Sequence, residues 1–456
     1  MGFTDIPLPT HLIAGLEMTA TTTGFTTASF DQFVSERSEP AWLSERRRAA
    51  YAAFDSTPLP SLRDEEWRRT DIRALKLKLF GLPSIGDRGP VATGLEGLEP
   101  LLDSLAERYG HGLATIDSTP ARHVGGDLPH GVVFMDLNQA VRDHPELIQR
   151  YLLCRAVTGD ADAFDMLHAA AWSGGAFLYV PKGVRLEEPL FHLIGMTAAS
   201  SSDLSHTLVV LEDGAEATLV QETASADRGE QPALHCGAVE LFVGQGAKLR
   251  FVNIQNWDAQ TWHFSRERAL VAKDGALQWT VGGLGARLGK VNQEVALTGS
   301  GSRAQVNGVV FTTGRQHLAY FTRQDHQADH TTSDLLYKAG LKDHSRLVWK
   351  GMIRVEKDAQ KTDAYQKNDN LILSDQARGD SIPGLEIEAN DVRCTHGATA
   401  GRVDEEMIFY AQSRGIDRAT AIQLIVEGFF ANVYDRITIE SVRETLRQAV
   451  EAKLRA

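Results

Sequence analysis

A thiol and an imidazole stand two residues apart at Cys394 and His396. They lie in the segment PGLEIEANDVRCTHGATAGRVDEEMIFYAQSRGI, which runs from Pro383 to Ile416. On an extended strand, residues i and i+2 face the same way, so such a pair is able to converge. A thiolate suits iron, and an imidazole either ligates iron or moves a proton near neutral pH. The bland alternatives are a small buried apolar residue at Cys394 and a strand-end hydrogen-bonding group at His396. Cys154 and Cys236 read as core thiols rather than carriers. Three scattered cysteines without a CxxC pair exclude a local four-cysteine cluster site. The odd, low count fits a reducing cytoplasm better than a disulfide framework. Any metal needs ligands distant in sequence or supplied by a partner.

Three other constellations have chemical overtones. Asp325-His326-Gln327-Ala328-Asp329-His330 places two histidines four apart, which share a face only on a helix. Its surroundings read as strand and loop, so polar groups in a rung are expected there. Gly283 to Lys290, GLGARLGK, imitates a phosphate loop. Its first glycine is wrongly spaced, and Val291 stands where Ser or Thr would reach magnesium. No nucleotide site is therefore expected on this chain. Gln360, Thr362, Gln366, Asn368 and Asn370 read as a polar ladder between rungs.

The elements that must position these residues change character along the chain. Residues 1–175 read mainly helical, with helices at Pro40 to Phe54, Gly94 to Tyr109 and His144 to Ala171. From about residue 176 to 395 the period becomes two, and a strand–corner–strand unit recurs. Its corners are centred on Gly183, Gly214, Gly246, Gly275 and Gly301, spaced by 26 to 32 residues, with a glycine-free copy at Asp358-Ala359. Glycine accepts the positive φ that a tight corner demands. A fixed period of this size indicates a solenoid whose stacked rungs bury a shared column. The fold expected is mixed and mainly β, a parallel β-helix between helical ends; a series of antiparallel hairpins is the competing reading. Pro383-Gly384 reads as a sharp turn into the strand that follows. Residues 396–456 return to helix. Asp404 opens a short helix that ends at Arg414-Gly415, and Asp417 caps the next. Tyr410, Arg414, Gly415, Ile416 and the Phe429/Phe430 pair are expected to form a compact module, with one phenylalanine exposed as an anchor.

The whole chain has 456 residues and a net charge of −13, with 43% hydrophobic and 23% charged residues. That balance fits a globular protein and argues against nucleic-acid or anionic-membrane binding. The first 25 residues hold no Lys or Arg and no signal-like apolar run, and no stretch of about 18 apolar residues occurs. A cytoplasmic location is expected.

SDLLYKAGL (Ser333 to Leu341), KTDAYQKNDNLILSDQA (Lys361 to Ala377), LEIEANDVRCTHGAT (Leu385 to Thr399) and DEEMIFYAQSRGI (Asp404 to Ile416) together resemble the SufB/SufD family of iron–sulfur cluster assembly subunits. CTHGAT and EEWRRTDI (Glu65 to Ile72) resemble its D-type members. The resemblance implies a right-handed parallel β-helix with helical ends and no catalysis by the chain alone. It implies pairing with a SufB subunit through the β-helices and docking of the SufC ATPase on the C-terminal helical domain, the region of Tyr410, Arg414, Gly415, Ile416, Phe429 and Phe430. A cysteine desulfurase with its sulfur-transfer protein would supply sulfur. The cluster or iron would be held transiently at the SufB interface, with His396 contributed by this chain and Cys394 beside it, and ATP would bind only to SufC. A SufB-type primary scaffold, or a carbohydrate-active β-helix enzyme, are the other readings of the same chain.

Overall fold

The computed structural model describes residues 24–83, 97–198 and 202–455. Two long sheets face each other across a lumen and together make a β-solenoid of about 8 turns. The first sheet carries His111–Ile116, Leu190–Met196, Glu216–Ser225, Lys248–Asn256, Ala276–Gly283, Arg303–Thr312, Thr332–Leu341, Asp363–Ile372 and Arg393–Arg402 in spatial order. The second carries Gly174–Val180, Ser205–Leu211, Ala233–Val243, Thr261–Val271, Leu288–Leu297, His317–His326, Arg346–Val355 and Arg378–Ile387. Successive turns pair in parallel and in register, as in Glu267 beside Gln293, and Gln293 beside Thr322. Parallel pairing excludes the hairpin reading. At the far end two short strands, Thr119–Val124 and Val133–Asp136, pair antiparallel and close the stack.

The corners explain the glycine period. Gly183, Gly214, Gly246 and Gly301 all have φ between 65° and 73°. Each donates its N–H to the corner of the next turn, as from Gly246 to the Lys273 carbonyl at 2.9 Å. Two corners differ from expectation. The positive φ falls on Asp274 rather than Gly275, and on Lys361 in the glycine-free copy. Asp274 and Lys361 still make the ladder bond, to Ser300 and Asp391.

Alternation puts Val, Leu and aromatic side chains in the lumen, including Leu219, Phe251, Trp279, Val306, Tyr337 and Trp349. The outer faces are covered too. Val426, Phe430, Leu446 and Val450 from helices Arg418–Tyr434 and Glu440–Arg455 pack on Val309, Phe311 and Leu336 of the first sheet. Phe30, Trp67, Phe80 and Phe164 cover Cys236, Phe264 and Leu288 of the second. Trp67 belongs to the EEWRRTDI segment and packs 5.4 Å from Phe164, ring to ring.

Several local expectations change. Pro383 and Gly384 lie inside the strand Arg378–Ile387 and make no turn. This strand is the edge of its sheet, the one place where a proline can direct its missing donor outward. The 144–171 span is two helices, Pro145–Tyr151 and Ala163–Ala171, separated by Leu153 at φ 50°. The helix near Gly94 is described from Glu99 to Tyr109; residues 94–96 lie outside the described residues. The region before 175 also contains the strands at 111–136, and the last strand runs through His396 to Arg402.

Candidate functional site

The solenoid stops at Arg378–Ile387 and Arg393–Arg402, and neither strand has a successor. Their side chains are exposed or half-buried, unlike those of the turns before. Cys394 and His396 lie on the last strand. Register places Cys394 on Ala364 and His396 on Gln366, both buried lumen-facing positions. The thiol and the imidazole therefore share the lumen side of an uncovered rung, as the two-residue spacing allowed.

Their surroundings differ. Cys394 packs at the edge of a small apolar cluster with Ile353, Val355, Ala359, Ala364 and Ala389. Partial burial, then the nearby Asp363 carboxylate, pushes its thiol pKa above the ordinary value, against a smaller opposing effect of the Ala364 backbone. Cys394 is thus protonated at neutral pH until a cation or partner lowers that pKa. His396 is exposed. Beneath it, on strand Asp363–Ile372, Gln366 Nε2 donates to the Gly384 carbonyl at 2.9 Å and ties that strand to Arg378–Ile387 across the lumen. Next to it, Asn370 donates to Ser381 Oγ at 2.8 Å, and Ser381 donates to Asn368 Oδ1 at 2.5 Å. These amides make a polar floor. Of the expected ladder, Thr362, Gln366, Asn368 and Asn370 are buried, whereas Gln360 bonds a corner carbonyl at Lys357.

One thiol and one imidazole fall short of the four protein ligands that an iron–sulfur cluster usually takes. Among the described residues, no group of three or more His, Cys, Asp or Glu side chains is placed to hold a metal ion. His326 and His330 do not converge. His326 is buried in the lumen between Thr331 and Ser333, at 2.7 and 2.8 Å, while His330 sits on an exposed corner beside Asp329. Cys236 is buried and donates to the Phe164 carbonyl, and half-buried Cys154 donates to helix carbonyls at Arg150 and Tyr151. Lys290, from the GLGARLGK segment, is buried with its ammonium 3.5 Å from the centre of the Phe321 ring.

A second surface lies just beyond the last strand. Helix Glu405–Ser413 is capped by Asp404 and pinned to the next helix by a bidentate Glu405–Arg418 pair at 2.7 Å. Of its apolar residues only Ile408 is buried; Met407 is 59%, Phe409 73% and Tyr410 62% exposed, and Leu424 of the next helix is exposed as well. Arg414 stacks over Tyr410, 5.2 Å from the ring centre, and Gly415 takes a positive φ at the helix end, with Ile416 following. Phe430 is fully buried against Phe311 and Tyr434. Phe429 is half-buried, with the Lys338 ammonium 4.5 Å from its ring centre. Neither phenylalanine of the pair is exposed; the exposed apolar side chains here are those of Met407, Phe409, Tyr410 and Leu424. Their signal in the sequence was a nine-residue helix, EEMIFYAQS, with more apolar residues than one buried stripe can use.

A family model described as SUF system FeS cluster assembly, SufBD core domain, matches residues 194–429, more than half of the chain. The chain belongs to the SufBD family. The SufBD N-terminal region model matches residues 116–191, so the two matches together span almost the whole solenoid. Among SufBD relatives, the iron–sulfur cluster assembly protein SufD of Bacillus subtilis is 28% identical over 93% of this chain and 96% of its own length. A chloroplastic SufBD family protein of Arabidopsis thaliana is 26% identical over 92% of this chain and 78% of its own. A Staphylococcus saprophyticus SufBD family protein is 29% identical over 70% and 68%. This SufBD chain is SufD-like, and its work is iron–sulfur cluster assembly. No helix among the described residues is long and apolar enough to cross a membrane.

Proposed function

We propose that this chain is a non-catalytic scaffold subunit that contributes half of an assembly site. The observation that carries this reading is the uncovered last rung, with His396 and Cys394 on its lumen side. A SufB subunit stacked on that rung would supply the missing ligands and cover exposed Leu385, Ile387 and Tyr365. The growing cluster is cargo held between the two subunits. The neutral thiol of Cys394 supports a role as neighbour to the ligand, with the accessible imidazole of His396 as the first donor. The apolar patch of Met407, Phe409, Tyr410 and Leu424 fits the SufC ATPase. Its place one short turn after the last strand means that a push on the helix reaches the rung directly. ATP then acts on the partner, and this chain transmits the movement. The cytoplasm is the compartment that keeps three free thiols reduced.

Co-expression with SufB and SufC, followed by native mass measurement, tests the partnership. One SufB, one copy of this chain and two SufC subunits is the expected mass; a chain that ignores both partners ends the reading. His396→Ala should leave that assembly intact and lower the yield of matured clusters. An unchanged yield would remove His396 from the site.

A further inference from the structure

Where the EEWRRTDI segment meets the last turns of the second sheet, it leaves an open cavity of about 350 Å³. Arg63, Arg68 and Arg69 stand on one wall, and Lys350 rises from the floor. Phe321, Lys350 and Ile382 share one register column on three successive strands, and this column is the floor. It ends at Ile382, on the edge strand Arg378–Ile387. Trp67 fixes the segment above the sheet, packed on Phe164 and Phe264. The cavity is thus a basic trough with a partly apolar floor, and it leads from the N-terminal segment to the open end of the solenoid.

The guanidinium groups of Arg63, Arg68 and Arg69 are exposed and pair with no carboxylate among the described residues. The acids around them are engaged elsewhere. Asp64 Oδ2 accepts from the Ser61 N–H at 2.7 Å, and Asp71 forms a bidentate pair with Arg73. Glu66 lines a neighbouring cavity with Arg266, and Asp380 pairs with Arg346 at 2.6 Å and Arg378 at 3.0 Å. On a chain with a net charge of −13, three unpaired arginines around one cavity are a local reversal of sign. Glu65 shows the chemistry that this cavity takes. Its carboxylate lies 3.4 Å from Lys350 Nζ although its side chain is 87% exposed.

We propose that the trough binds an acidic, extended segment of a partner protein. Its carboxylates meet the arginines, and an apolar side chain rests on Phe321 and Ile382. The planar fork of arginine matches a carboxylate through two parallel hydrogen bonds. The floor covers two strand spacings of about 4.8 Å each, so about three extended residues span it. The floor strands already bond to one another in the sheet, so side chains carry the recognition. A phosphate fits less well. Phosphate is favoured by the N–H groups of a helix start, whereas the turn here, Glu65–Trp67, opens with two carboxylates. Nucleic acid would face the repulsion of the whole acidic chain. The bound segment displaces Glu65 from Lys350, so the chain's own carboxylate is its competitor. This surface lies within one chain and needs neither SufB nor SufC.

Fluorescence anisotropy on the full-length chain tests this, with a dye-labelled peptide of alternating glutamate and leucine as the probe. On an extended peptide that alternation sets the two residue types on opposite faces. Binding is expected, and it should weaken several-fold as salt rises to physiological strength. Arg68→Ala combined with Arg69→Ala should weaken it about tenfold at an unchanged melting temperature, the loss of a good charged contact. Should that double variant melt lower, Arg63→Ala takes its place, with a several-fold loss expected. Glu65→Ala should tighten binding several-fold. A probe with serine in place of leucine should bind several-fold more weakly. A chain that ignores the probe, or arginine variants that bind it as the wild type does, overturn the proposal. Equal binding of the serine probe also overturns it, because charge alone then attracts the peptide. Pyrophosphate bound in the absence of any peptide binding would make the cavity a phosphate site and overturn it as well.

Discussion

Glu267 and His326 line the same lumen, and burial pushes them in opposite directions. Glu267 is raised from 4.5 to about 7. Its contribution to stability is fully present below pH 4.5 and is lost as pH rises to 7, because only the unfolded chain ionises in that window. Glu267→Gln should therefore flatten the stability profile between pH 4.5 and 7 by about 3 kcal/mol, read from urea midpoints. His326 is lowered from 6.5 to about 4 by burial, against a smaller raising effect of Asp325. Its contribution is present above pH 6.5 and is lost as pH falls towards 4. His326→Gln should remove about 3 kcal/mol of acid destabilisation across that window. The rung position of His326 was legible in the sequence; the environment of Glu267 was not. Glu267 sits in an ordinary alternating strand, ERAL, and only the register of distant strands sets Asn253 and Gln293 against it. Cys394 and His396 were legible, because a two-residue spacing on a strand fixes a shared face whatever the neighbours are.

At the scale of elements, what is local was readable and what is borrowed was not. The solenoid showed in its period because every corner must solve the same backbone problem. Asp274 and Lys361 broke that pattern because the ladder of corner hydrogen bonds holds a non-glycine residue at positive φ. Pro383-Gly384 looked like a turn for sound local reasons, but an edge strand tolerates proline. The phenylalanine pair misled because the covering sheet, not the helix, decides which ring is buried. Phe409→Glu should leave the melting temperature nearly unchanged, since the ring is 73% exposed. If the proposed SufC docking holds, it should weaken that binding by about 2 kcal/mol, the scale of a central anchor, measured by calorimetry. In contrast, Gly351→Ala places a Cβ 2.3 Å from the Trp349 ring and 2.4 Å from Gln366 Oε1. Overpacking of this kind costs about 1–3 kcal/mol and should lower the denaturation midpoint without touching any partner.

The molecule as a whole is a stack wrapped on two sides and finished at one end. Helices close the outer faces of both sheets, and antiparallel strands close the early end. Phe430→Ala should cost about 3–5 kcal/mol, because its ring bridges the C-terminal helices to Phe311. Early loss of hydrogen-exchange protection confined to residues 405–455 would show that these helices detach before the solenoid opens. The closed early end has a further meaning. A filament needs two adhesive ends on every monomer, and a ring needs the same with closure. Thr119–Val124 and Val133–Asp136 run against the direction of their neighbours and offer no continuation of the parallel stack, which among the described residues leaves its parallel edge open at Arg378–Ile387 and Arg393–Arg402. On the proposed reading, one partner stacked on that open edge completes the parallel stack, and the antiparallel strands at the other end offer it no further parallel continuation.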